Sequence, residues 1–132
     1  MKNYQDLIHK ELSFQIVGLL YTVHNELGRN CNEKQYGDKL EELLDTNNVP
    51  YKREFILPPS FSSELKGRNK VDFIIDDKII LELKVKRRVG RIDFYQLQRY
   101  LRALDKKLGI LVNFQQLNLT PKRILNSDKI DY

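Results

Sequence analysis

The sequence predicts an α/β protein: a small mixed β-sheet of about four core strands flanked by helices, in the order ααβββαβ. Three observations lead there. Apolar residues recur at helical spacing over residues 8–27. Two short apolar runs, 70–75 and 79–85, stand on either side of Asp76-Asp77-Lys78. An almost unbroken apolar run, 108–114, follows a further helical stripe.

Ile8, Leu12, Ile16, Leu19, Leu20, Val23 and Leu27 share one helical face, so the segment from about Gln5 to Leu27 reads as one amphipathic helix, ended by Gly28. A second helix is expected from near Asn32 through Leu40, Leu43 and Leu44 to Thr46, where Val49-Pro50 forbids continuation. Residues 51–57 alternate as a first strand, stopped by Pro58-Pro59, and 60–69 form a polar loop. The two apolar runs that follow are the second and third strands, with Asp76-Asp77-Lys78 as their turn. Asp93 is expected to cap a third helix whose Phe94, Leu97, Leu101 and Leu104 pack on the sheet. The run 108–114 is apolar on both faces, which predicts a buried strand, central and parallel to a neighbour across the helical crossover. Residues 122–125 are expected as an edge strand before a frayed tail.

A chain of 132 residues is the size of one domain and can bury roughly two-thirds of its unfolded surface. No apolar stretch is long enough to span a bilayer, and the polar start Met-Lys-Asn-Tyr-Gln-Asp lacks a signal-peptide pattern. Cys31 is the only cysteine, which excludes an intrachain disulfide and a cysteine-based zinc cluster. A cytoplasmic location without membrane association is expected, and a homo-oligomer is compatible with the sequence. Charge is uneven: residues 1–66 hold 8 Lys/Arg against 10 Asp/Glu, and residues 67–132 hold 15 against 8. The basic tract begins at Lys84 and includes Lys86, Arg87, Arg88, Arg91, Arg99 and Arg102. Such a tract attracts a phosphate backbone, although a solvated basic face has the same composition.

Asp72, Glu82 and Lys84 interrupt the paired apolar runs, where an ion needs compensation. Side chains alternate along strands, so register decides whether the three meet. Antiparallel pairing about Asp77 sets Asp72 opposite Glu82 and Lys70 opposite Lys84, with Val71, Phe73 and Ile75 on the other face against Ile79, Leu81, Leu83 and Val85. Two adjacent carboxylates repel, and a divalent cation between them removes the repulsion. Oxygen ligands select hard cations, Mg²⁺ above all. Lys84 could then orient a water or stabilise charge on a phosphate. The same trio could also be an ion pair on an exposed strand face.

The element order, with Asp72…Glu82-x-Lys84 on the second and third strands, resembles the PD-(D/E)XK nuclease superfamily and its restriction-endonuclease-like core. Ile16-Val-Gly-Leu-Leu-Tyr-Thr-Val-His-Asn-Glu-Leu-Gly28 followed by Glu33-x-x-Tyr36 is similar to the amino-terminal signature of the GxxExxxxY proteins within it. The segments 71–84, 96–101 and 108–114 resemble the catalytic hairpin, following helix and last core strand of that group. The family's usual Gly-Pro-Gly is here Gly28-Arg-Asn30, so Asn30 is expected to supply a positive φ, and Cys31-Asn32 replaces an apolar pair before Glu33.

The resemblance implies a metal-dependent nuclease. It assigns Asp72 and Glu82 as metal ligands and Lys84 as the catalytic lysine, with Glu33 as a further ligand or water-positioning group and the Leu83 carbonyl as an added oxygen. Without it, Glu33 reads as an ordinary surface residue. Gln96 and Tyr100 match a Gln-x-x-x-Tyr element and would support the active site. His24 also falls on a matched position, although a lone His on an apolar helix face is more often structural. Mg²⁺ is the expected cofactor, with Mn²⁺ as a substitute, and nucleic acid is the expected substrate, DNA ahead of RNA. The alternative is a non-catalytic nucleic-acid-binding module that keeps the fold.

Overall fold

A computed structural model describes residues 8–129. Its elements are α1 (Lys10–Leu27), α2 (Glu33–Thr46), β1 (Tyr51–Ile56), β2 (Lys70–Ile75), β3 (Ile79–Lys84), α3 (Arg91–Leu104), β4 (Leu108–Asn113) and β5 (Lys122–Leu125), followed by a 3₁₀ turn, Ser127–Lys129. The strands form one sheet in the order β1-β2-β3-β4-β5. Only β3 and β4 are parallel, joined through α3, and the other neighbours are antiparallel. Among the described residues no helix is long and apolar enough to cross a membrane.

Helices α1 and α2 cover one face of the sheet. Ile16, Leu20 and Val23 of α1 and Tyr36, Leu40 and Leu44 of α2 pack against Phe73, Ile75, Ile79, Leu81 and Leu83. Gly28 ends α1 with the positive φ of 73° that glycine tolerates, though its ψ of −154° lies outside the left-handed helical region expected, and its N–H donates to the His24 carbonyl at 2.8 Å. The helix begins at Lys10 instead of near Gln5, because His9 is itself left-handed, φ 48°. Residues 5–7 of the expected helix lie outside the described residues.

Asn30 does not take a positive φ. The turn into α2 is instead made by Asn32, whose side chain accepts the Gln35 N–H at 2.9 Å while Gln35 Oε1 accepts the Asn32 N–H at 2.8 Å. This reciprocal cap occupies two donors that the helix start would leave unpaired. Tyr36 closes the same turn from inside, its hydroxyl donating to the Gly28 carbonyl at 2.6 Å and its ring stacked on Phe114 with centroids 4.2 Å apart.

Helix α3 covers the other face with Leu97, Tyr100 and Leu101, against Val71, Ile74, Ile80, Leu111 and Ile124. Phe94 does not join this seam; it is 42% exposed, edge-on to Tyr95. The N-cap of α3 is Gly90, and Asp93 stands in the first turn, where its carboxylate accepts the Gly90 N–H at 2.9 Å. The helix sits close on the sheet at Gly109, where a Cβ would lie 2.9 Å from both Leu97 methyl carbons. β4 is buried along its whole length, in keeping with its apolar composition.

Candidate active site

The β2–β3 hairpin turns through Asp76 and Asp77, both left-handed (φ 51° and 55°), with the Lys78 N–H donating to the Ile75 carbonyl at 3.0 Å. Two successive positive φ values match the right-handed twist of a hairpin, and Asp tolerates them better than most residues. The register is Phe73↔Leu81, Ile74↔Ile80 and Ile75↔Ile79, the pairing that brings Asp72 to Glu82. The ladder stops there. Beyond Phe73↔Leu81 the Leu83 N–H has no backbone acceptor on β2 and donates to Asp72 Oδ2 at 2.7 Å. Asp72 therefore fills the gap between the two strands.

A second irregularity lies on the other side of Asp72. Glu54 of β1 is left-handed, φ 53°, and the β1–β2 pairing skips Glu54 and Asp72 before resuming at Phe55↔Val71. The side-chain alternation resets across this point. Tyr51 and Phe73 pack beneath α1 and α2, whereas Phe55 and Val71 pack beneath α3. Val71 is thus not on the face with Phe73 and Ile75, as strict alternation predicts.

Glu82 is 3% exposed, and its Oε1 is buried with no hydrogen-bond partner among the described residues. Burial, and then the charge of the adjacent Asp72 carboxylate, pushes its carboxyl up to about 10 against the opposing charge of Lys84. Lys84 leaves the same strand toward α3, where its Nζ donates to Gln96 Oε1 at 3.3 Å and lies 3.7 Å from Asp93 Oδ1. Tyr100, one turn after Gln96, is buried, and its phenol is raised first by burial and then by the Glu82 charge. Gln96 and Tyr100 therefore both approach the trio from α3.

Glu33, the first residue of α2, approaches from the other side. It opens on a cavity of about 270 Å³ shared with Arg53, Glu54, Asp72 and Leu83. Its carboxyl is raised by partial burial and by the Asp72 charge. Arg53 braces this wall, donating to Asp38 and Glu41 at 2.6 Å each. Glu33 does not close a ligand cage: among the described residues no group of three His, Cys, Asp or Glu side chains is gathered tightly enough to hold a metal ion. The Lys84 carbonyl accepts the Phe114 N–H at 2.9 Å on the β4 side. Backbone groups alternate along a strand, so the Leu83 carbonyl points to the β2 side, where the ladder has ended. His24 stands apart, its Nε2 donating to the Gln116 carbonyl at 2.9 Å, and plays the structural part.

Asp93 is the member that sequence reasoning assigned only to capping. It is 5% exposed and accepts from Lys86 Nζ at 2.6 Å as well as from Gly90. Burial alone would raise its carboxyl, but the Lys86 and Gly90 hydrogen bonds and the charges of Lys86 and Lys84 together hold it below the ordinary value. An acidic residue in the first turn of the helix that follows Glu-x-Lys was the available signal. Of the expected nucleic-acid contacts, Lys86 is engaged with Asp93, and Arg102 pairs with Asp128 at 3.2 Å. Arg87, Arg88, Arg91 and Arg99 are exposed.

Two side-by-side carboxylates, one with an unpartnered buried oxygen, form an all-oxygen donor set that fits a hard divalent cation. A proton held on Glu82 accommodates the pair without the cation. With it, a phosphate oxygen could be bound between the carboxylates and Lys84.

No curated protein matches the chain. A solved structure described as the crystal structure of SSO0001 is similar over 91% of this chain and 58% of its own length, at 22% identity and a TM-score of 0.51. That likeness concerns the fold alone, and the chain spans little more than half the length of that protein. A family model of the PD-(D/E)XK nuclease superfamily matches residues 10–124, taking in the hairpin and every element that approaches it. The chain therefore belongs to the PD-(D/E)XK nuclease superfamily.

Proposed function

We propose that the protein is a Mg²⁺-dependent nuclease that hydrolyses phosphodiester bonds, with DNA as the favoured substrate and Mn²⁺ able to replace Mg²⁺. The observation that carries this reading is the buried Glu82 against the half-buried Asp72, with Glu82 Oε1 unpartnered and Lys84 beside it. Residues 1–132 form one nuclease-like domain in this reading, acting in the cytoplasm.

Asp72 and Glu82 would hold the cation, with the Leu83 carbonyl as a further oxygen and Glu33 beside the attacking water. When bound, the cation supplies Lewis-acid polarisation of the phosphodiester and lowers the pKa of water. Lys84, steadied by Gln96 and Asp93, would donate to the phosphate oxygen on which charge grows as the bond breaks. Glu33 is partly desolvated, so its carboxyl is tuned toward accepting a proton from the attacking water. Tyr100 would support Glu82 from α3, and the exposed arginines would attract the backbone. The Gly28–Tyr36 hydrogen bond fits a GxxExxxxY subgroup, because it makes that signature one structural unit.

The test is incubation of the purified protein with single-stranded, duplex and branched DNA and with RNA, in Mg²⁺, Mn²⁺ or EDTA, beside Asp72→Ala and Lys84→Ala. Cation-dependent cleavage abolished in both variants is the expected result. Cleavage that survives both substitutions sinks the assignment, and binding without cleavage on every substrate favours a non-catalytic module.

A further inference from the structure

The cations that follow β3 are divided by the fold into two sets. Lys84 and Lys86 converge on Asp93, Arg102 pairs with Asp128, and Lys106 pairs with Asp77. Arg87 and Arg88, in the loop after β3, and Lys122, at the start of β5, are exposed and make no ion pair among the described residues. These three border a single cavity of about 240 Å³, with Asn113, Gln116 and Thr120 as its polar wall and no carboxylate in its lining.

The wall is fixed before any ligand arrives. Asn113, 4% exposed, donates to the Lys86 carbonyl at 2.7 Å and accepts the Lys86 and Gln115 N–H groups at 3.2 Å each, which pins the Arg87–Arg88 loop to the end of β4. Gln116 Oε1 accepts from the Thr120 N–H at 3.3 Å and the Thr120 hydroxyl at 3.1 Å. The amide NH₂ of Gln116 is left as a donor. Three cations and a neutral donor without an acid form an anion site, and arginine's planar fork suits phosphate oxygens in particular.

The cavity lies on the sheet face of the candidate active site. Lys84 is paired with Asn113 across the parallel β3–β4 ladder, and Leu111 is paired with Lys122 across β4–β5. Paired residues share a face, as do residues two apart on one strand. Lys122 lies two strands across from Glu82, two residues before Lys84, so at about 4.8 Å per strand and about 3.3 Å per residue it stands about 12 Å from Lys84. Phosphates of one B-form strand rise about 3.4 Å per nucleotide while winding round the axis, so neighbours lie about 6–7 Å apart through space and this separation is roughly two nucleotides. Both positions are at the carboxyl ends of the two parallel strands, where open α/β sheets bind ligands.

We propose that the cavity bordered by Arg87, Arg88 and Lys122 is a second phosphate site, which grips the substrate backbone roughly two nucleotides from the phosphate at Lys84. This rests on the nuclease reading for the identity of the substrate. Its consequence is direction: two separated phosphate sites on one face orient a strand across the ends of β3, β4 and β5.

The test reads binding in EDTA, so that it does not depend on cleavage. Anisotropy of a short fluorescein-labelled DNA duplex is measured at stepped salt for the wild type, for Arg88→Glu/Lys122→Glu, and for Lys52→Glu/Lys107→Glu. The second variant has the same change in net charge at the opposite end of the sheet. The expected result is at least about tenfold weaker binding for R88E/K122E, with a log–log salt slope shallower by roughly 0.9 for each phosphate that is no longer neutralised, and little change for K52E/K107E. Equal weakening of both variants, or of neither, overturns the second site and leaves the nuclease reading standing. Selective weakening in a protein that cleaves nothing supports the site and removes the nuclease reading.

Discussion

Replacing Glu82 with Gln should stabilise the cation-free protein at neutral pH, although Glu82 is only 3% exposed. In the folded state its carboxyl is pushed from 4.5 up to about 10 by burial and by Asp72, whereas in the unfolded chain it titrates near 4.5. Between these values the folded protein holds a proton that the unfolded chain has released. Stability is therefore complete below about pH 4.5 and falls as pH rises toward 10, by about 1.4 kcal/mol per unit. At pH 7 the loss is about 3 kcal/mol, which corresponds to roughly 10 °C in Tm for a chain of this size. Gln has the same shape and no charge, so E82Q should recover that amount at pH 7 and nothing at pH 4. The assay is thermal unfolding in EDTA across this pH range. A saturating divalent cation should stabilise the wild type, by about 2.7 kcal/mol at a hundredfold excess over Kd, and so raise its Tm, while leaving E82Q nearly unmoved. Parallel pH curves for wild type and E82Q in EDTA would refute the reasoning, because Glu82 would then ionise in the fold without cost.

Asp72→Asn keeps an oxygen for the Leu83 N–H, so it should unfold in urea within about 1 kcal/mol of wild type while losing cleavage; Asp72→Ala should add a loss of about 1–3 kcal/mol from the unpaired amide. Asp93→Asn should cost about 1–3 kcal/mol at pH 7, with the Lys86 contribution kept small by that side chain's exposure. Because the Asp93 carboxyl is held below its ordinary value, its contribution is present above about pH 4 and lost as pH falls further, so acid titration of D93N should show a flatter decline than wild type. Gly109→Ala should destabilise by about 1–3 kcal/mol, because the added methyl meets Leu97, and it should also slow cleavage by displacing the neighbouring Gln96 from Lys84; denaturant unfolding and single-turnover rates measure the two effects.

The parts of the fold that could be read from the sequence are those where one local rule decides the outcome. The apolar run in β4 admits only a strand buried on both faces, and Asp76-Asp77 between two apolar runs admits a tight hairpin whose register follows from its centre. That register brings Asp72 to Glu82, and the Gln96–Tyr100 spacing places both on one stripe of α3. What escaped depends on residues distant in sequence. Val71 changes face because Glu54, seventeen positions earlier, leaves the regular strand conformation, and no periodicity within β2 reports it. Phe94 stays 42% exposed while Tyr100, read from its polar end as a support for the site, is buried in the seam. The role of Asp93 depends on Lys84, at the end of β3, and Lys86, in the loop after it.

The two irregularities beside Asp72 have a common consequence. In a continuous ladder the Leu83 N–H would be satisfied by a β2 carbonyl, and Asp72 would project from one face of the sheet with its neighbours of like parity. Ending the ladder after Phe73↔Leu81 leaves that N–H to the Asp72 carboxylate and turns the side chain into the gap between strands. From there it borders the cavity below Glu33 and also the carboxyl of Glu82, which is packed toward α3. A side chain committed to one face could not serve both. The left-handed backbone of Glu54, which costs about 1–2 kcal/mol at a residue other than glycine, stands directly across from this position. Strain in β1, a missing rung between β2 and β3, and two crowded carboxyl groups thus converge within three adjacent strands. Each is unfavourable for the sheet alone; without a cation the third is relieved by the proton on Glu82, and a cation between Asp72 and Glu82 would replace that proton and keep both groups charged.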